Sequence, residues 1–240
     1  MQFSIIIPTK NELANMKRLL PQYDALRGAA SYEVIVADGA STDGTIQYAR
    51  TITNRVEVKT KQERETIGEG RNRGAAVAQG DVLVFVDAGV RIPDVPGFFQ
   101  AITRHFTDTT VVAAVPRVSI DPGVATFADR LVHGTVNLLI RASNALGWGS
   151  GKGETQIIRH SAFQKVGGYN EKLVAAEDHD MMMRLSKIGK VKFLPELTVY
   201  DDPSRYRKLG YPRVIGLWIL NWFSMRIFRR SFSKEWKRAT

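Results

Sequence analysis

Short apolar runs that end in polar residues recur along the first half of the chain and predict the strands of a layered sheet. The runs at 4–7, 33–37 and 82–86 have strand length, and polar residues follow each of them. Runs of this length are typical of strands buried on both faces. Segments with helical spacing of apolar residues separate them. The pattern therefore predicts an α/β fold with a mostly parallel sheet and helices on both faces.

The remaining elements are predicted from the same periodicities. A glycine-rich helix at 66–78 would bring backbone N–H groups close to an anionic ligand at its positive end. Residues 121–145 have helical spacing interrupted by Gly134 and are left unassigned, and the four glycines of 147–153 predict a loop. Further helices are predicted at 11–26, 41–50, 97–106 and 177–185, and short strands at 56–59 and 111–115.

Several polar residues are candidates for a ligand site because they follow predicted strands. In open α/β sheets, ligands bind outside the carboxyl ends of the strands, where loop residues converge. Thr9, Asp38 and Asp87 hold such positions, although Asp also starts turns in the absence of any ligand. Glu177 and Asp178 lie in the first turn of an apolar helix, where acids offset the helix dipole without any catalytic task.

Charge and cysteine content narrow the class of protein. The 240 residues contain no cysteine, which argues against a disulfide-framed secreted fold. Residues 1–8 lack the pattern of a signal peptide, so we expect a cytoplasmic protein. Of the net charge of +10, residues 201–240 contribute +7, from ten Lys or Arg against three Asp or Glu. A basic segment of this kind favours an anionic partner.

The C-terminal segment 201–240 combines this charge with an apolar stretch. Residues 214–225 contain Trp218 and Trp222 and are too short for a membrane span, which needs about 20 residues. We predict a basic amphipathic helix at the inner face of an anionic membrane, with packing on the body or on a second subunit as the alternative. Six cations follow the stretch: Arg226, Arg229, Arg230, Lys234, Lys237 and Arg238.

An ordered set of motifs gives the chain a family resemblance. It resembles the inverting glycosyltransferases of family 2, which have the GT-A fold, and is similar to dolichol-phosphate mannose synthase-like enzymes. The matching pieces span about residues 4–200 and are IIPTKNE at 6–12, VIVADGASTDGT at 34–45, GRNRG at 70–74, FVDAG at 85–89, FQKVGGY at 163–169, and Glu177-Asp178.

The resemblance implies a role for each matching residue. Asp178 would be the catalytic base that takes the proton of the acceptor, a role that a carboxylate within hydrogen-bond reach can perform. Asp38 would contact the nucleobase and Arg71 the donor diphosphate. Trp148 and Glu177 would lie near the acceptor. The remaining donor-site residues that the resemblance implies are Pro8, Thr9, Glu12, Asp87, Ala88 and Gly89.

One departure from the family pattern concerns the metal. Asp87 matches the first acid of the Asp-x-Asp motif and would be a metal ligand, but Gly89 replaces the second acid, and Arg91 replaces a further metal-binding Gln. Two interpretations stay open. Mg²⁺ or Mn²⁺ binds through Asp87 and the diphosphate, or Arg91 itself supplies the positive charge.

The expected function is transfer of a sugar, with inversion, from a nucleotide-sugar donor to a hydroxyl or a lipid-phosphate acceptor, and the acceptor molecule would be lipid-linked or a saccharide. Residues 1–115 would form the donor half, 116–200 the acceptor and base half of the same domain, and 201–240 the peripheral membrane contact. Two alternatives are a sugar-phosphate nucleotidyltransferase and a basic nucleic-acid-binding protein. Pro8 and Thr9 stand where the former has a glycine-rich loop, and no nucleic-acid-binding motif is present, so nucleic acid is not an expected partner.

Overall fold

A seven-stranded sheet forms the centre of the chain. The structure, a computed structural model, describes residues 1–60 and 65–233. The strand order is β3-β2-β1-β4-β6-β5-β7. The strands are β1 (Gln2–Thr9), β2 (Ser31–Asp38), β3 (Val56–Val58), β4 (Val82–Val86), β5 (Val111–Ile120), β6 (Thr155–Arg159) and β7 (Lys190–Asp201).

Helices cover both faces of the sheet, and a 3-10 helix at Leu20–Leu26 follows α1. The helices are α1 (Leu13–Leu19), α2 (Thr45–Ile52), α3 (Ile67–Ala76), α4 (Val95–Phe106), α5 (Phe127–Ala145), α6 (His160–Lys165), α7 (Glu177–Leu185), α8 (Ser204–Leu209) and α9 (Tyr211–Phe228).

The predicted fold class is confirmed. β1 pairs in parallel with β2 and β4, and all five residues of β4 are buried, as expected for a strand covered on both faces. The exception to the parallel arrangement is β6, which is antiparallel to β4 and β5. The carboxyl ends of β1, β2 and β4 therefore lie at one edge of the sheet.

The helix predicted at 11–26 differs in its bounds, and the unassigned residues 121–145 contain a helix. The predicted helix at 11–26 is divided into α1 and the 3-10 helix, which has Pro21 in its first turn. Proline removes a backbone donor and so interrupts the α-helical hydrogen bonds. α5 is continuous through Gly134, because a cost of about 1 kcal/mol for an internal glycine is small against nineteen helical residues.

The edge strand β7 was not predicted. Its sequence mixes charged and apolar residues, and Pro195 lies inside it. The pairing with β5 shifts register between Pro116 and Arg117, opposite the Leu194 to Thr198 stretch of β7. Proline is tolerated in edge strands and at such irregularities, where a ladder hydrogen bond is not required. The pattern therefore lacked the period of two that would have revealed the strand.

The glycine-rich helix α3 packs closely on the sheet. A Cβ atom added to Gly74 would lie 2.5 Å from Cγ2 of Ile6, so the helix could not approach β1 with a larger residue there. Thr66 and Glu69 form a capping box that fixes the start of the helix. Close packing thus accounts for Gly74, and the fixed start positions the side chains that α3 presents to the site.

The C-terminal helix α9 packs on the body of the protein. Val214 and Met225 are buried, and the Ser231 hydroxyl bonds to the backbone of Val174 and Ala175. The packing alternative for this segment is therefore observed. Of the six predicted cations, Lys234, Lys237 and Arg238 lie outside the described residues.

The opposite side of α9 is also apolar. Leu220, Phe223 and Ile227 are 46 to 64% exposed, so apolar residues occupy both sides of this helix rather than one. No helix within residues 1–60 and 65–233 combines the length and the apolar character needed to span a membrane.

An ion pair connects the C-terminal helices to α5. Asp129 is 1% exposed and accepts hydrogen bonds from Nη1 of Arg207, at 2.7 Å, and from the Tyr211 hydroxyl. The Arg207 hydrogen bonds hold the pKa of Asp129 well below its usual range, although burial opposes them. The ionised carboxylate therefore stabilises the folded state.

Replacing Asp129 should destabilise the protein in a pH-dependent way. The folded pKa lies below the unfolded value of about 3.9, so the stabilisation is present above that pH and is lost as the pH falls through the folded pKa. We expect Asp129→Asn to lower the free energy of unfolding by roughly 1–3 kcal/mol at pH 7 and to be nearly neutral in strong acid. Urea unfolding over a pH series measures this.

The matched control is Asp24→Asn. Asp24 pairs with Arg27 on the surface, where both side chains are more than half exposed, so its loss should have little effect. Equal, small effects of the two substitutions at pH 7 would contradict the role given to Asp129.

Candidate active site

A large cleft opens at the carboxyl edge of the sheet. Its volume is about 1220 Å³. Its walls are the starts of α7 and α8, the glycine-rich loop at 147–153, and one side each of α5 and α9. The lining is polar near the strand ends and the start of α7 and largely apolar along α5 and α9, and these parts are called the inner and the outer end below. The inner residues include Glu12, Asn15, Arg71, Asp87, Gly89, Lys152, Glu154, Glu177, Asp178, Asp201 and Asp202.

A buried arginine from α3 lies at the inner end of the cleft. Arg71 is 0% exposed. Its Nη1 donates to Oε1 of Glu177 at 2.8 Å, and its Nη2 donates to Oδ1 of Asp87 at 3.0 Å and to the Gly153 carbonyl at 2.8 Å. One cation thereby joins the end of β4, the start of α7 and the glycine-rich loop.

The start of α7 presents two acids to the cleft. Ala176, the residue before the helix, has a left-handed backbone with φ of 64°, which is uncommon for a residue with a Cβ and costs energy. Glu177 pairs with Arg71, whereas the Asp178 carboxylate accepts a hydrogen bond from the backbone N–H of His179 at 2.8 Å. Both acids line the cleft. Asp178 is thus the acid of this pair that no cation neutralises by direct contact within the described residues.

Burial and mutual repulsion make Asp87 and Glu177 weak acids. Desolvation raises the pKa of Asp87 to about 6, because the attraction of Arg71 only partly opposes it and the charges of Glu154 and Asp178 add to it. Desolvation, and then the charge of Asp178, raise the pKa of Glu177 to about 7. Neighbouring carboxylates with raised pKa values are common in active sites.

Sequence reasoning missed a second buried charge group in the cleft. Lys152 is 8% exposed, and its Nζ lies 2.9 Å from Oε1 of Glu154 and 3.4 Å from Nδ1 of His133. Asp201, at the end of β7, accepts a hydrogen bond from Tyr206 at 2.7 Å, and burial raises its pKa to about 7. The position of Glu154 directly after the glycine-rich loop could have marked it as a site residue. Asp201 could not be placed from the sequence, because strand β7 was not predicted.

The structure brings about half of the predicted site residues together. Of these, the following line the cleft: Glu12, Arg71, Asp87, Gly89, Trp148, Glu177 and Asp178. The nucleotide-contact residues predicted at the ends of β1 and β2 do not line it. Thr9 is 7% exposed, and its Oγ1 is a buried atom with no hydrogen-bond partner among the described residues. Pro8 and Ala88 likewise lie outside the cleft lining, and their roles stay predictions.

Asp38 has a structural task in this conformation. It is fully buried, and both oxygens bind Ser41, one its backbone N–H and the other its hydroxyl, each at 2.7 Å. This arrangement fixes the loop after β2. Contact with a nucleobase stays a prediction for Asp38.

Arg91 lies away from the cleft. It forms an ion pair with Asp121, stacks over the Tyr200 ring at 4.7 Å, and does not line the cleft. The cation in contact with Asp87 is Arg71 instead. This placement gives no support to Arg91 as the countercharge of a donor diphosphate, and that role stays a prediction.

The residues present fit a divalent cation that is shared with a ligand. No group of three or more acidic, histidine or cysteine side chains within residues 1–60 and 65–233 is arranged to hold a metal. Mg²⁺ in phosphate-binding sites is commonly held by one or two carboxylates together with phosphate oxygens. Asp87, which is 32% exposed in the cleft, could supply such a carboxylate.

Comparison with known proteins identifies the family. The family model described as Glycosyl transferase family 2 matches residues 4–167. The chain is 32% identical over 106 residues to a dolichol-phosphate mannosyltransferase of Pyrococcus furiosus, covering 42% of this chain and 30% of that protein. It is 25% identical over 205 residues to a pre-mycofactocin glycosyltransferase of Mycobacterium tuberculosis, covering 83% and 42%. The chain thus spans less than half the length of these relatives.

Solved structures share the fold. Mannosyltransferase PcManGT from Pyrobaculum calidifontis, in complex with GDP-Man and Mn²⁺, has a TM-score of 0.71 at 20% identity, over 94% of this chain and 64% of that one. TarS 1-349 of S. aureus, in complex with UDP-GlcNAc, has a TM-score of 0.61 at 20% identity, over 83% and 58%. With the family match over most of the sheet, these findings lead to one conclusion: the chain belongs to glycosyl transferase family 2.

Proposed function

We propose that this chain transfers a sugar from a nucleoside-diphosphate sugar to an acceptor, with inversion at the sugar carbon and with Asp178 as general base. The observation that carries the assignment is the pairing of Arg71 with Glu177, which leaves the neighbouring Asp178 carboxylate to face the cleft. Family membership argues against nucleotidyl transfer and nucleic-acid binding, the alternatives that the sequence left open.

The chemistry is a single displacement. The acceptor oxygen attacks the anomeric carbon, Asp178 takes the proton of the acceptor hydroxyl, and the bond from that carbon to the diphosphate oxygen breaks. Attack on the face opposite the leaving group inverts the configuration. A hydroxyl is a poor nucleophile at neutral pH and needs a base within hydrogen-bond reach. A phosphate acceptor is already ionised and would need no base.

The inner end of the cleft is too acidic to receive a diphosphate unaided. Among the described residues, the buried cation in contact with Asp87 and Glu177 is Arg71, none contacts Asp178, and the hydrogen bonds of Arg71 all go to protein acceptors. A divalent cation, Mg²⁺ or Mn²⁺, would supply the positive charge that stabilises the departing diphosphate. Asp87 is the residue that we propose to hold it.

The outer end of the cleft suits a lipid-linked acceptor, with a saccharide acceptor as the alternative. On α5, Leu131 and Leu139 line the cleft and are 58 and 64% exposed. On α9, Ile219 and Phe223 line the other side of the cleft and are 50 and 51% exposed.

We propose that the apolar opening of the cleft, between α5 and α9, contacts an anionic membrane surface. The exposed cations Arg213, Arg226, Arg229 and Arg230 lie in or directly after α9, beside its exposed apolar side. Each cation near an anionic surface contributes up to about 1 kcal/mol. Contact of both helices with lipid would place the acceptor opening at the membrane.

Asp178→Asn should separate catalysis from donor binding. With a hydroxyl acceptor we expect turnover to fall by a factor on the order of 10² to 10⁴, with nearly unchanged donor affinity, because only the proton-accepting group is lost. The measurement is sugar transfer from the best-binding UDP- or GDP-sugar to lipid alcohols and saccharides, together with calorimetry of donor binding.

Asp180→Asn is the matched control. Asp180 lies on the same helix, but its carboxylate pairs with Arg184 at 2.8 Å. This control should keep turnover in the folded fraction. A near-normal rate for Asp178→Asn with a hydroxyl acceptor would remove Asp178 as the base.

Binding to vesicles should need the exposed apolar residues of both α5 and α9 at the cleft opening. The unmodified protein should sediment with vesicles containing phosphatidylglycerol and be partly released by high salt. Leu131→Ser with Leu139→Ser on α5, or Ile219→Ser with Phe223→Ser on α9, should each weaken sedimentation, since each pair removes exposed apolar area from one side of the cleft opening.

The control for vesicle binding is Ile52→Ser, an exposed apolar residue on α2 that does not line the cleft. Circular dichroism checks the folding of every variant. Failure of the unmodified protein to sediment, or equal sedimentation of all folded variants, would contradict the membrane proposal.

A further inference from the structure

The position of the missing second acid is close to another acid of the chain. A Cβ atom added to Gly89 would lie 3.4 Å from Cβ of Asp202, an ordinary contact distance. Gly89 and Asp202 both line the inner end of the cleft. The side chain of Asp202 therefore starts beside the place from which a carboxylate at position 89 would start.

The backbone explains this proximity. Arg91 and Tyr200 form an isolated antiparallel bridge with two backbone hydrogen bonds, each 2.8 Å long. The bridge is an isolated one, because residues 88 and 89 form a turn before it. It still holds the segment that contains Gly89 beside the end of β7, and Gly89 and Asp202 each lie two residues from it. The Cβ distance then shows that the two residues are neighbours.

We propose that Asp202 supplies the second acidic ligand of the metal site, from the loop after β7 instead of from the loop after β4. The inference rests on the proposed function, because the cation is the one that would accompany the donor diphosphate. Gly89 then leaves room for the incoming side chain, and the charge lost at position 89 is restored from the other strand.

Asp202 also has local contacts that a purely structural role would explain. Its Oδ1 accepts a hydrogen bond from the backbone N–H of Ser204 at 2.8 Å, which supports the start of α8. Its Oδ2 lies 3.7 Å from Nη2 of Arg18, beyond hydrogen-bond length, and the Asp202 side chain is 32% exposed. The test must therefore separate metal binding from the support of α8 and from the surface ion pair.

Two carboxylates without a third ligand predict a particular binding behaviour. Asp87 and Asp202 alone should hold a divalent cation weakly, and the oxygens of a diphosphate should complete its shell. Metal and nucleotide should therefore strengthen each other's binding by the same factor. Loss of Asp202 should reduce both the affinity for the metal alone and this mutual strengthening.

The experiment is an electron paramagnetic resonance titration of Mn²⁺, with and without UDP or GDP, on the full chain. For Asp202→Asn, which keeps an oxygen able to accept from Ser204, we expect roughly tenfold or greater loss of Mn²⁺ affinity, as removal of one charge close to a cation implies. Gly89→Asp in the Asp202→Asn background should recover most of that loss by returning the carboxylate to position 89. Arg18→Gln, which removes the ion pair with Asp202 and the hydrogen bond to Asn15 but no carboxylate, should retain Mn²⁺ affinity.

The outcomes distinguish this inference from the proposed function. Unchanged Mn²⁺ affinity in folded Asp202→Asn, or failure of Gly89→Asp to recover the loss, overturns the role of Asp202 even if the nucleotide binds. Mn²⁺ binding that depends on Asp202 without any binding of UDP or GDP supports the acid pair but counts against the proposed donor. Absence of Mn²⁺ binding to the unmodified protein, with and without nucleotide, overturns the inference directly.

Discussion

The buried ion pairs of Arg71 hold the inner end of the cleft together. A guanidinium that is fully removed from water is costly unless charged and polar acceptors satisfy it. Asp87, Glu177 and the Gly153 carbonyl provide those acceptors, and they come from β4, α7 and the glycine-rich loop. Since removal of one member of such a group leaves a buried charge without its partner, the three segments are fixed relative to one another. The half-buried Asp178 inherits its position from this arrangement.

The same geometry connects the electrostatics of the site to its proposed chemistry. Arg71 neutralises part of the acidic cluster, yet burial keeps the pKa values of Asp87 and Glu177 raised. Such a site binds an anionic diphosphate poorly without an added cation. Its carboxylates are well suited to bind that cation. The acid that the family pattern has at position 89 is absent, but the bridge between Arg91 and Tyr200 brings Asp202 to that place. Arg91 thus contributes through its backbone at a position where its side chain points to Asp121.

Much of the sheet and part of the cleft could be predicted from the sequence. Uninterrupted apolar runs identify strands that are buried on both faces, and ordered motifs place Asp87 and Asp178 in one cleft. β7 could not be predicted, because an edge strand with a proline and charged residues has no regular period. The inward contacts of Asp38 and Arg71 were also hidden, since sequence position does not tell whether a polar residue meets a ligand or another part of the chain. The contribution of Asp202 depends on pairing between segments more than a hundred residues apart.

The central claim is that the sugar is transferred in one displacement. The ion pairs of Arg71 position the site, and Asp178 is the base. The stereochemistry of the product tests this most directly. Proton nuclear magnetic resonance of the first product formed from an α-linked nucleotide sugar reports the configuration at its anomeric carbon. The account predicts a β-linked product, because the acceptor attacks opposite the diphosphate. An α-linked first product would contradict it, because retention requires a second displacement or attack on the same face as the leaving group.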